Sequence, residues 1–195
     1  MRKANRQKND NQHFLVNDHQ RVKLSLNILL VAILGLFTYT SSSAQRIGEE
    51  AEMDRLEQQA DDLAAQADPE GAALAIGKAA MMADILTKIS QDPVTGNLFQ
   101  AASTLYRGQE LGLRALALFE RTGGKPPAPS GVCHYLFQGN KKLNDSKNIL
   151  QKFASTSSEE IKSRRKHLLQ KNEEWENLLF GLHKDFACSA NLNKK

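Results

Sequence analysis

The chain has 195 residues, 41% of them hydrophobic and only 6% aromatic, with a formal net charge of +4. That length suits one domain plus a targeting segment, and the composition favours helices over strands. The basic balance is not a nucleic-acid signature, because it is divided by segment. Residues 1–23 carry six Lys/Arg against two Asp, residues 46–70 two Arg against nine Asp/Glu, and residues 121–195 fourteen Lys/Arg against seven Asp/Glu. Without its first segment the chain is neutral, with an acidic start and a basic end.

The first element is a dense apolar core over residues 28–39, preceded by Arg21 and Lys23 and followed by Thr40, Ser41, Ser42, Ser43 and Ala44. Ten to twelve apolar residues are short for a membrane span, which takes about 20, and match the apolar region of an export signal. Ser42 and Ala44 are the small residues a signal peptidase needs, placing cleavage between Ala44 and Gln45. Residues 1–44 therefore read as an export signal peptide. The alternative is an N-terminal signal anchor, because the segment before the apolar core is long. Uncleaved, residues 24–40 would contact the membrane. In either case the Lys/Arg excess before the core keeps the N-terminus in the cytoplasm. The expected location of the body is extracytoplasmic, periplasmic or secreted, or membrane-anchored in the alternative. No Cys stands near Ala44, which argues against a lipoprotein.

Residues 46–122 read as a three-helix, Ala-rich unit. Met53, Leu56, Ala60, Leu63 and Ala67 alternate at spacings of three and four, giving a first amphipathic helix with a narrow seam and acidic flanks. Asp68-Pro69 ends it, and Pro69 suits the first position of a second helix reaching about Ser90. There Ala75, Ala79, Met82, Leu86 and Ile89 form a seam that Leu74, Met81 and Ile85 widen, so this helix is expected to be largely buried. Ser90–Asn97 reads as a turn punctuated by Pro93 and Gly96. A third helix, from about Gly96 to Arg121, is apolar nearly all round at Leu111–Phe119, as a central helix would be. Glu110 and Arg114 read as a surface pair. Gly108 and Gly112, four apart, permit a close helix crossing, either with a partner or inside the fold.

Gly123–Gly131 is a Pro/Gly connector, with Gly123 as the left-handed helix cap. It reads as the boundary before residues 132–195, an antiparallel helical hairpin. Val132–Asn140 reads as irregular, and Asn144 or Asp145 as the cap of a fourth helix. Ser157 with Glu160 resembles a capping box for a long fifth helix on which Ile161, Leu168, Trp175 and Leu182 recur every seven residues. Asn144-Asp145-Ser146 is a glycosylation sequon. The fold class is thus all-α: three N-terminal helices, a Pro-rich connector and a C-terminal hairpin.

Cys133 and Cys188 fall toward the same end of that hairpin and are expected to form a disulfide. A metal site joining them to His134 and His183 is disfavoured. Residues five apart on a helix point different ways, and neither half has a familiar zinc spacing. The basic run at Lys162, Arg164, Arg165, Lys166 and Lys171 is a candidate interaction face, with Gly108 and Gly112 as a second candidate. The bland reading of the run is a solvated helix face. Its complement within the chain is the acidic first helix, which would pack on it or pair with it between subunits.

No phosphate loop, zinc-protease motif, nucleophile elbow or paired-carboxylate motif is present. The expectation is a non-enzymatic, exported helical interaction or assembly protein without a cofactor. It would act through protein partners or self-association and not on nucleic acid. An accessory role in an envelope secretion, conjugation or pilus apparatus is an analogy from architecture. The rival is a domain binding a lipid or other apolar ligand in a cavity lined by Met81, Met82, Phe99, Phe119 and Trp175.

Overall fold

The computed structural model describes residues 47–152 and 158–188. The apolar run, the Ala44–Gln45 cleavage point and the Ser157 cap lie outside the described residues. The chain divides after Gln45, and residues 46–195 form one compact unit. All regular structure among the described residues is helical: α1 (47–65), α2 (Pro69–Ile89), α3 (Pro93–Arg121), α4 (Ser130–Lys152) and α5 (Glu159–Asp185). No helix among them is long and apolar enough to cross a membrane.

Contacts between named residues fix the helix directions. Ser103 donates to Asp84 across 2.5 Å, and a side chain at Gly77 would meet Glu110, so α2 and α3 run antiparallel. Ser146 donates to the Ala101 carbonyl at 2.8 Å, and Gly108 lies under Leu143, so α3 and α4 are antiparallel. Lys147 pairs with Glu176 at 2.7 Å and Arg165 donates to the Leu150 carbonyl at 2.7 Å, so α4 and α5 are antiparallel. The helices alternate in direction, and α3 packs against α2, α4 and α5. The Pro-rich stretch connects α3 to α4 inside this unit.

Local chemistry explains the helix ends. Asp68 accepts from the Gly71 amide and Asp92 from the Thr95 amide, each capping a helix that opens on proline. Pro93 thus starts α3, where a turn to Gly96 was expected. After Thr122, the Gly123 and Gly124 amides donate to the Glu120 and Phe119 carbonyls, and Gly123 takes φ +95°. That is the left-handed glycine cap expected there. Phe119 stacks on Phe186 with ring centroids 3.8 Å apart, and the Ala128 amide donates to the Phe186 carbonyl at 2.9 Å. These contacts seal the α3–α4 turn against the end of α5.

Two expectations are corrected. Val132–Asn140 is helical, not irregular, and Asn144 and Asp145 sit inside α4 rather than capping it. Val132, Leu136, Gly139, Leu143, Ser146 and Leu150 are its buried face, and the sequon lies within this helix rather than in a loop, with Asn144 exposed and Ser146 buried. On α2 the small residues turn inward instead of the whole surface. Ala72, Ala75, Ala79, Ala80 and Ala83 are buried, while Leu74 and Met81 are 59% and 54% exposed. Glu110 of α3 fills the space a side chain at Gly77 would take, while Ile76 and Leu86 are buried among the alanines.

Candidate interaction surfaces

Cys133 in the first turn of α4 is joined to Cys188, just beyond α5, with their Cα atoms 5.4 Å apart. With α4 helical from Ser130, the two helices have similar lengths. Their far ends meet without the extended run that a shorter fourth helix would require. His134 and His183 are not needed to hold the cysteines. Among the described residues no group of three or more His, Cys, Asp or Glu is placed to hold a metal ion.

The basic run does not form one free face. α1 lies parallel to α5 and covers much of it. Arg164 pairs with Glu50 and, at 2.9 Å, with Asp54. Lys171 pairs with Asp61 at 2.7 Å and stands 3.7 Å from Glu57. Arg165 turns to α4, Lys162 pairs with Glu159 on its own helix, and Lys166 is exposed. The proposed interaction face is therefore corrected for Arg164, Arg165 and Lys171. Arg164 and Lys171 thus tie the basic α5 to the acidic α1 within the chain.

A groove of about 940 Å³ follows this seam between α1 and α5, floored by Leu98, Phe99, Ala102 and Tyr106 of α3. Arg164 lies over the Phe99 ring, 5.4 Å from its centroid. Tyr106, 1% exposed, donates to Glu57 Oε2 at 2.7 Å. Burial and then the Glu57 charge raise its hydroxyl well above the ordinary tyrosine value. Glu57 Oε1 is buried without a hydrogen-bond partner, with His167 and Lys171 each 3.7 Å away. Burial, followed by the Glu57 charge, also raises the Asp54 carboxyl. The groove mixes paired acids and bases over an aromatic floor; its strongest polar contacts hold α1 to α5.

Gly108 and Gly112 are also corrected as an interaction face, since both are buried inside the fold. A side chain at Gly108 would meet Leu143 at 2.8 Å, and one at Gly112 would meet Leu179 at 2.6 Å and Trp175 at 3.1 Å. A side chain at Gly139 of α4, which periodicity did not single out, would meet the Gly108 carbonyl at 3.1 Å. Glu110, read as part of a surface pair, accepts from Arg114 at 2.8 Å and from Arg107 at 3.0 Å. Four of the five residues expected to line an apolar cavity lie apart. Phe99 floors the charged groove, Phe119 stacks on Phe186, Trp175 lies over Gly112, and Met81 faces solvent.

The surface that sequence reasoning missed is the outer face of α2. Leu74, Met81 and Ile89 are exposed there and Ile85 is half-buried, interleaved with exposed Lys78 and Lys88. They keep coiled-coil spacing, which was the available signal, but the same spacing fits the inner seam. Comparisons of the chain with protein-family models, with curated proteins and with solved structures found no match.

Proposed function

We propose that this chain is an exported, non-enzymatic helical interaction or assembly module. The observation that carries the reading is the outer face of α2. A helix of a globular domain ordinarily turns large aliphatics inward and charges outward. Here alanines with Ile76 and Leu86 fill the inner face, and Leu74, Met81 and Ile89 point to solvent as well. Large exposed apolar side chains grouped on one helix face support a protein contact site. Export is supported by the sequence of residues 1–44 and by the Cys133–Cys188 pair, since disulfides persist in oxidising compartments. An envelope location, as an accessory of a secretion, conjugation or pilus apparatus, is the setting in which such a module would act.

The test is size-exclusion chromatography of an extract from the native host prepared without reductant, with intact mass of the eluted chain. The reading expects elution above the size of a single chain, with both cysteines oxidised. Elution as a single chain carrying free thiols would contradict both halves of it.

A further inference from the structure

The outer face of α2 is built to meet itself. Leu74, Lys78, Met81, Ile85 and Lys88 follow one another at spacings of four, three, four and three, the rhythm of a helix-pairing seam. Glu70 stands one turn before Leu74 and is exposed, as are Lys78 and Lys88. The stripe therefore starts acidic at Glu70 and ends basic at Lys88, with Leu74, Met81 and Ile85 around Lys78 between them, over about 27 Å of helix.

The geometry points to a second copy of this chain as the occupant. Two α2 helices would pack antiparallel across a two-fold axis lying between Lys78 and Met81. The inference rests on the interaction reading above and names its partner. In this register Glu70 lies beside Lys88 of the partner subunit, and the pair occurs twice by symmetry. Leu74 meets Ile85 of the partner subunit, and Met81 packs on the aliphatic stem of Lys78 of the partner subunit. A parallel pair would instead set Glu70, Lys78 and Lys88 each beside its own copy, a run of like charges that opposes association. Among the described residues Glu70 pairs with Arg121, at 3.7 Å and exposed on both sides. Such a pair is weak and leaves the carboxylate available to a second cation. Leu74, Met81 and Ile85 supply the attraction and the charged ends choose the orientation, since this register brings only the two Lys78 side chains near the axis together as like charges.

The test places a photo-reactive benzoyl-phenylalanine at Met81 of the full chain in its native host. A cross-linked product at twice the chain's mass, containing only this chain, is the expected result. A product joined to a different protein would overturn self-pairing while leaving the interaction reading in place. No product would overturn both. A charge exchange then reads the orientation. Glu70→Lys alone and Lys88→Glu alone should each weaken self-association about tenfold, since each turns two attractive pairs repulsive. The two changes together should restore it. Single variants that associate as well as the wild type would overturn the antiparallel register.

Discussion

The Tyr106 hydroxyl donates to Glu57 across 2.7 Å, joining α3 to α1 beneath the seam where α1 meets α5. One oxygen of Glu57 depends on this bond, and the other is buried without a hydrogen bond. Removing the hydroxyl strands the carboxylate. Tyr106→Phe should cost about 1–3 kcal/mol at neutral pH. It should also change the alkaline behaviour. The folded state raises the Tyr106 value, so its contribution is complete below the unfolded value of about 10 and is lost as pH rises through the folded one. Lys171 acts in the same direction. Burial alone would lower it, but the Asp61 hydrogen bond and the charges of Asp61, Glu57 and Glu174 outweigh burial and raise it. Urea midpoints at about pH 7 and about pH 11 should show the wild type losing stability more steeply than Tyr106→Phe. Parallel losses would contradict the assignment.

Ala67 ends α1 in the left-handed region, at φ +58°. The Asp68 amide donates to the Leu63 carbonyl and the Ala67 amide to the Ala64 carbonyl, the glycine-type cap with an alanine in the glycine's place. A side chain is strained there, so Ala67→Gly should stabilise the domain by about 0.5–1 kcal/mol despite the freedom it adds to the unfolded chain. Thermal unfolding reads this directly, and a lower melting temperature would contradict it.

Two glycines on facing helices should respond oppositely to the same change. A Cβ on Gly112 meets Leu179, which is fully buried, and the other methyl of Leu179 already lies 3.0 Å from where a Cβ on Gly139 would sit. Leu179 cannot step aside, so Gly112→Ala should cost about 1–3 kcal/mol by overpacking. Gly181 in α5 has nothing within 4 Å of its Cβ position. Gly181→Ala should therefore gain about 0.5–1 kcal/mol from helix propensity alone. Chemical denaturation of the two variants should move the midpoint in opposite directions.

The Cys133–Cys188 bond spans 55 residues. In the chain-entropy picture, closing a loop of that size stabilises by about 4 kcal/mol. Paired replacement by alanine should lower the melting temperature to the value the wild type shows in reductant, and reductant should leave the variant unmoved. A variant as stable as the oxidised wild type would remove the staple from this account.

Much of the fold was legible because the helices advertise themselves by period and the ends by chemistry. Pro69 opening a helix and Gly123 capping one follow from fixed backbone preferences. The complement between acidic α1 and basic α5 was visible in the charge pattern, though not whether it would close within one chain. Two things were hidden. Periodicity gives two apolar faces on α2 without saying which is buried. The choice falls to tertiary packing, since Ile76, Leu86 and the alanines turn into the core and the Glu110 side chain of α3 fills the space over Gly77. The start of α4 was masked by Gly131, Gly139 and a Cys-His pair that resemble loop chemistry. Gly139 is there because Gly108 crosses it at backbone contact, a tertiary demand with no local signature.

The central claim is that the outer face of α2 is a contact surface. Its most direct test is chemical cross-linking in intact cells of the native host, comparing the wild type with a chain carrying Leu74→Lys and Met81→Lys. Both positions are solvent-exposed, so the change should leave the helix content and the Cys133–Cys188 bond unaltered. The account predicts a cross-linked species for the wild type that disappears in the double variant. The same species in both, or none in the wild type, would contradict it.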